Sequence, residues 1–505
     1  MKKILYLCSF GLLLISPAFG QKGKSLPEFN LQKVEREAHM RFLASDELQG
    51  RRTGEPGNLV AARYIAEQFR RLGLTPAPGQ SGQSGYMQPV PLEKLGSVGE
   101  GMLIAGNDTL VQKKDWILMA GSTMNIDAPL AYAGFGLEDV AKGWDDYKGL
   151  DVKGKIVLVQ SGSSEATTPS DIISASTQKR RIAAEKGAVA VIELFKAPIP
   201  WNFVVNYFSG ERLSLADGTA PVTLPHAWVN GSEAALTKLL RAATSLQIKT
   251  DGRLVQPING FNVAAYIQGS DAKLKDEYVL LTAHYDHVGV GKQGGQPYTA
   301  EDSIFNGARD NAFGVVALLS AAEALAQNPP KRSVLLVALT GEEVGLLGSK
   351  YLANHPLLPW KQCIFNLNSD GAGYNDTSIL SVIGLDRTGA RAEIETASKA
   401  FGLDVVADPS PEQGLFDRSD NVSFAAKGIP APTMTPGFRA FDAELMKNYH
   451  QVSDNPDTID FNYLLKFSQA YAYAARLIAD RALAPKWVAG DKYEEASFKL
   501  YGQQK

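Results

Sequence analysis

From Asn262 onward, short apolar runs alternate with longer segments in which apolar side chains recur at helical spacing. That alternation is the mark of an α/β layer structure. The runs Asn262 to Gln268, Tyr278 to His284, Ser333 to Thr340 and Cys363 to Asn368 predict strands. Asn311 to Gln327 predicts a helix with Val315, Val316, Leu318, Leu319, Ala322 and Leu325 on its apolar side. Helices are also expected over Glu343 to Ala353, Gly389 to Gly402 and Tyr463 to Ala482. Three of the strand-like runs end in polar groups: His284-Tyr285-Asp286-His287, Gly341-Glu342-Glu343 and Asn368-Ser369-Asp370-Gly371. In open α/β sheets ligands bind beyond the carboxyl ends of the strands, so these termini form the candidate site.

Upstream the pattern changes twice. Leu31 to Leu74 is helical, with Ala61, Tyr64, Ile65, Gln68, Phe69 and Leu72 on one face and Gly73 as a stop. A polar, glycine-containing loop, ASDELQGRRTGEPGN, interrupts it, and Tyr86 to Leu92 reads as extended. After Trp116 come short strands at Leu130 to Phe135, Lys155 to Gln160 and Ala188 to Leu194, with helical spacing over Thr177 to Lys186. The expected organisation is a leader (1–20), an N-terminal part of the main domain (26–116), an inserted β-rich module (117–250), the main part of that domain (251–488) and a polar tail expected to fray (489–505). The fold class is α/β, with a mixed central sheet flanked by helices.

At 505 residues the chain is long enough for two domains. A net charge of -3 without a Lys/Arg cluster argues against a nucleic-acid partner. Met1 to Gly20 has a basic start (Lys2, Lys3), an apolar stretch from Ile4 to Ile15 and Ala18-Phe19-Gly20, the pattern of a secretory signal cleaved after Gly20. An uncleaved anchor is the competing reading, but the stretch is short for a span and no later run is long enough. Cys8 would leave with the leader, so Cys363 is the single remaining thiol and no internal disulfide is expected. An exported chain without disulfides fits a bacterial periplasm.

Several familiar catalytic motifs are absent: G-x-S-x-G, H-E-x-x-H and C-x-x-C. Gly289 to Gly294 matches G-x-G-x-x-G, yet Gly295 and Pro297 follow it instead of an apolar helix, so it reads as a loop. His284 and Asp286 alternate, and a carboxylate there could fix the tautomer of a metal-bound imidazole. His287 could be read as a further ligand in H-x-x-H. Asp310 precedes an apolar helix and is either an N-cap or a metal-bridging carboxylate. Of the adjacent Glu342 and Glu343, one can bind a metal while the other takes a proton from the attacking water. Asp370 and His450 taken singly read as turn or surface residues. With His284, Asp310 and Glu343 they make a mixed imidazole and carboxylate set suited to zinc.

In ordered succession AHYDHVG, NGARDNAFGV, LTGEEVGLLGS, NLNSDGAG and NYHQVSDNPDT resemble the M28 family of co-catalytic zinc peptidases. The resemblance covers roughly residues 30–485 and implies the zinc-peptidase fold. It implies that His284 and Asp370 hold one zinc ion, that Glu343 and His450 hold a second, and that Asp310 bridges them. Asp286 would orient His284, and Glu342 would be the general base. AYAGFG, DYKGLDVKGKIVLV and KRRIAAEKGAVAVI resemble a protease-associated (PA) domain, which would restrict access, position longer substrates or simply stabilise the chain. Ser419-Asp420-Asn421 departs from the family's Ser-Asp-His and puts substrate contacts there in doubt; Gly371 stands where an apolar residue is common.

The expected activity is a secreted or periplasmic aminopeptidase acting on peptides with a free N-terminus, without stable membrane insertion. A carboxypeptidase or dipeptidase on the same scaffold, a single-zinc glutaminyl cyclase and a non-catalytic binding protein are the alternatives.

Overall fold

A computed structural model of the chain describes residues 25–78, 85–139, 143–163, 169–197, 199–216, 224–232 and 245–502, with isolated positions between 234 and 239. The leader expected at 1–20 lies outside the described residues. Among the described residues no helix is long and apolar enough to cross a membrane.

A large mixed sheet forms the frame. Its strands include β1 (Met87–Leu95), β2 (Arg212–Leu215), β3 (Val255–Ile267), β4 (Tyr278–His284) and β5 (Ser333–Leu339). They continue with β6 (Cys363–Ser369), β7 (Ile379–Ile383), β8 (Asp404–Ala407) and β9 (Thr433–Pro436). The order across the sheet is β2-β1-β3-β5-β4-β6-β9-β7-β8. The central strands β5, β4, β6 and β9 run parallel, and antiparallel pairs flank them. The expected mixed sheet flanked by helices is what is observed.

Both faces of the centre are covered, which is why β4 and β5 read as unbroken apolar runs rather than alternating ones. Val279, Leu281 and Ala283 of β4 pack into one core with α1 (Lys33–Leu43), α2 (Pro56–Arg71), α3 (Phe313–Gln327), α5 (Arg391–Ala400) and α6 (Phe461–Asp480). Tyr278 and Leu280, one residue out of phase, face a second core with Leu352 of α4 (Leu347–Asn354), Trp360 and Phe424. Cys363 lies in that second core, and burial pushes its thiol up to about 12, which makes it an inert packing residue.

A second, eight-stranded sheet is built from segments between Gly101 and Thr250. The two sheets divide the chain differently from the expected boundary at 116/117. Gly101–Ala105 and Asp108–Leu110 join the second sheet, where Thr250 lies opposite Gly101. Conversely, β2 falls within 117–250 but pairs antiparallel with β1 at the edge of the large sheet. The expected frayed tail is also corrected. Glu494–Tyr501 is a helix, α7, with Leu500 packed on the second core and the Tyr501 hydroxyl donating to the Cys363 carbonyl.

Candidate metal centre

Parallel pairing brings the candidate residues to one edge. His284 at the end of β4 lies opposite Leu339 of β5, and Thr282 lies opposite Asn368 of β6. The chain therefore delivers His284, Glu342, Glu343 and Asp370 side by side beyond three adjacent strands. The loops carrying Asp310 and His450 complete the group.

Two sets of donor atoms result, each gathered within 4.8 Å: His284, Asp310 and Asp370, and His287, Asp310, Glu343 and His450. Asp310 belongs to both. His284 Nε2 is 3.0 Å from Asp370 Oδ1 and 3.3 Å from Asp310 Oδ1. His450 Nε2 is 3.1 Å from Asp310 Oδ2 and 3.2 Å from Glu343 Oε2. Donor atoms about 2.0–2.1 Å from a tetrahedral zinc ion stand about 3.3 Å apart, so these separations fit such a donor set. His450 itself takes a left-handed backbone conformation (φ 52), sparsely populated by non-glycine residues and kept where the surroundings impose it.

The electrostatics show an acid-rich centre held together by imidazoles. Burial opposes charge on Asp310, but bonds from His284 and His450 hold its carboxyl well below the usual range. Burial and the Asp310 charge push Glu343 up, yet bonds from His287 and His450 bring it to about 2. His450 is raised to about 11 because Asp310 and Glu343 outweigh its burial. Burial likewise opposes charge on His284, but Asp370 and Glu342 raise it well above its ordinary value. Glu342 behaves differently: burial, assisted by Asp370, Glu343 and Asp420, pushes it well above the usual carboxylate range. A carboxyl raised in this way is suited to move a proton near neutral pH.

The supports of this centre come from distant segments. The Asp286 carboxylate stands 3.7 Å from His284 Nδ1, beyond hydrogen-bond length; the nearer acceptor for that nitrogen is the Asp286 carbonyl, at 3.3 Å. The carboxylate instead accepts the Thr53 hydroxyl at 2.9 Å and the backbone N–H groups of Glu342 and Glu343 at 3.1 and 3.4 Å. It thereby fixes the turn that presents both glutamates. Glu343, expected inside a helix, lies in that turn, and α4 begins only at Leu347.

Asp310 is not the N-cap of α3. It sits in an irregular turn at Ala308–Ala312, followed by a cis peptide to Asn311, and Asn311 Oδ1 accepts the Gly314 N–H. Asp454, fully buried, holds that turn through the N–H groups of Arg309 (2.9 Å) and Asp310 (3.3 Å) and through the Arg309 guanidinium (3.1 Å). Arg51, also buried, donates to the carbonyls of Leu43, Tyr285, Asn306 and Gly307 and so ties the loop after β4 to the loop before Asp310. Sequence reasoning missed Arg51, Thr53 and Asp454. Their one local sign is polar residues clustered in glycine-containing or histidine-bearing loops.

On the β6 side, Asn368 donates to Ser419, which donates to Asp370 Oδ2 at 2.5 Å. Asn421 is buried, donates to the carbonyls of Phe416 and Ala431, and does not line the cleft, so its departure from histidine alters a clamp rather than a cleft wall. The centre opens into a cleft walled by Ile383, Leu415, Phe438 and Phe441, with Tyr449 and the exposed Arg418 also lining it.

Comparison with known proteins gives two domain matches and several related aminopeptidases. Residues 262–475 match peptidase family M28, and residues 126–234 match the PA domain. The aminopeptidase YwaD of Bacillus subtilis is 26% identical over 403 residues, which is 78% of this chain and 76% of that protein. The probable lipoprotein aminopeptidase LpqL of Mycobacterium tuberculosis is 26% identical over 471 residues, covering 87% of this chain and 82% of its own. A solved aminopeptidase from Aneurinibacillus sp. strain AM-1 shares the fold, with a TM-score of 0.51 at 22% identity over 91% of this chain and 95% of that one. The fold, the ordered segments and both matches identify residues 262–475 as an M28 peptidase domain and residues 126–234 as a PA domain.

Proposed function

We propose that this chain is an exported aminopeptidase that hydrolyses the N-terminal bond of peptides with two zinc ions bound. The observation that carries the reading is the pair of donor sets sharing Asp310, with the raised carboxyl of Glu342 beside them in one cleft. His284 and Asp370 would hold one ion, Glu343 and His450 the other, and Asp310 both. Bound zinc would polarise the scissile carbonyl and lower the pKa of the attacking water. Glu342 takes a proton from that water and returns it to the leaving amine. Ile383, Leu415, Phe438 and Phe441 on the cleft wall suit an apolar first side chain.

Arg418 favours a second reading, because an exposed guanidinium at the cleft could pair with a substrate carboxylate, as a dipeptidase or carboxypeptidase requires. The second sheet contributes no described residue to the cleft lining, which favours a bracing role for it over direct substrate contact. Export rests on the leader-like residues 1–20.

The test is cleavage of free and N-acetylated aminoacyl anilides by the purified protein, with metal content measured before and after chelation. Two ions and chelator-sensitive cleavage of the free amines alone are expected. Cleavage of blocked substrates carrying a free carboxylate would move the assignment to the second reading. Glu342→Gln should keep both ions and lower kcat by about 10²- to 10⁴-fold; unchanged turnover would remove Glu342 from the mechanism.

A further inference from the structure

His287 plays no part in the donor set the family resemblance implies, yet it is buried against that set. Its Nδ1 lies 2.7 Å from Glu343 Oε1, while the other oxygen of the same carboxylate, Oε2, faces His450 Nε2 at 3.2 Å. These distances separate two kinds of contact. The four imidazole–carboxylate separations around Asp310 run from 3.0 to 3.3 Å, close to the edge of a zinc coordination tetrahedron of about 3.3 Å. The His287 contact is shorter and falls at the length of a charge-assisted N–H···O⁻ bond, about 2.7–2.9 Å.

A carboxylate has only acceptors, so the proton in that contact sits on Nδ1. The other ring nitrogen, Nε2, is buried without a hydrogen-bond partner. The ring cannot swing toward the ions at will. Gly307 lies against it so closely that a Cβ there would stand 2.5 Å from its Cγ, and the His287 N–H donates to the Arg51 carbonyl. The His450 ring meets it edge-on at 5.4 Å.

We infer that His287 is a positioning residue for Glu343. Its Nδ1–H occupies Oε1, which leaves Oε2 turned toward the ion shared with His450 and Asp310. His287 itself stays out of the coordination shell. The inference rests on the two-metal reading above and adds the device that sets the orientation of one ligand.

The test is Co²⁺ uptake by the full-length protein after removal of metal by chelation, followed through the visible absorption of the bound ion. Wild type should take up two equivalents. His287→Ala should weaken one of the two steps by about 10- to 100-fold and leave the other unchanged. His287→Asn carries an amide N–H near the Nδ1 position and should restore that step to within a few-fold of wild type, with the wild-type spectrum. Should the alanine variant fail to fold, His287→Gln, whose amide lies near the Nε2 position instead, takes its place and should show the same loss. Wild-type uptake in the alanine or glutamine variant overturns the inference. Equal loss in the asparagine variant with an altered spectrum also overturns it, by making His287 a ligand. Fewer than two ions in wild type overturns the two-metal reading itself, and this inference with it.

Discussion

Asp286→Asn separates two ways in which the carboxylate after His284 could serve the centre. Oδ1 accepts the Glu342 N–H at 3.1 Å, and Oδ2 accepts the Thr53 hydroxyl at 2.9 Å and the Glu343 N–H at 3.4 Å. An asparagine oxygen placed on the Thr53 side keeps two of these bonds. Its amide nitrogen then faces the Glu342 N–H, donor against donor. One hydrogen bond to a charged acceptor is lost, about 1.5–3 kcal/mol, and a buried N–H is left unpaired, about 1–3 kcal/mol. The two costs overlap, so a net loss of about 2–4 kcal/mol in unfolding free energy is expected. The turn carrying Glu342 should shift, and kcat should fall about 100-fold, since displacements near 1 Å cost that much. Metal affinity at the His284 and Asp370 pair should stay as it was, because His284 Nδ1 faces the Asp286 carbonyl, which the substitution leaves in place. Urea unfolding of the metal-free protein, metal titration and single-substrate kinetics read the three quantities. Full stability with a weakened His284 site would refute the argument and return Asp286 to the role of orienting the imidazole.

Asp310→Ala should weaken both metal-binding steps together; two ions retained at wild-type affinity would defeat the shared-ligand assignment. Gly307→Ala should destabilise the fold and displace His287, since the position has φ +62 and a Cβ would stand 2.3 Å from the Asp310 carbonyl; thermal unfolding at wild-type temperature would contradict this. The metal-free protein should be most stable at mildly acidic to neutral pH. The stabilising contribution of His450, raised from 6.5 to about 11, is complete below 6.5 and lost as pH climbs through 11, while that of Glu343, lowered from 4.5 to about 2, is lost on acidification through pH 2. A melting temperature that does not fall on the alkaline side would argue against the His450 contacts.

The strands β4 and β5 were legible because each is a nearly continuous apolar run buried on both faces, and β6 because its apolar positions persist although Asn366 and Asn368 interrupt them; the polar residues that close all three runs were legible as a site. What escaped was set by contacts distant in sequence. The start of α4 slips to Leu347 because Asp286 takes the N–H groups of Glu342 and Glu343. The turn at Asp310 is imposed by Asp454, which no local pattern announces. The tail looked polar, yet Leu500 and Tyr501 find partners on the second core and at the Cys363 carbonyl. His287 was visible as an imidazole near the site, but only the 2.7 Å separation assigns it to Glu343 rather than to an ion.

The strand β2 has a consequence for how the chain can be taken apart. The polypeptide leaves the large sheet after β1, builds most of the second sheet, and comes back to lay Arg212 to Leu215 along β1 before finishing the second sheet and entering β3. The inserted unit is thus sewn to its host by a stitch as well as by its two ends. Excising residues 101–250 would strip β1 of its outer partner and make this 9-residue strand the sheet edge in place of the 4-residue β2, and a longer exposed edge is the kind of surface that templates association between copies. A trimmed enzyme would need that edge redesigned, whereas grafting the unit elsewhere would carry an orphan strand along with it.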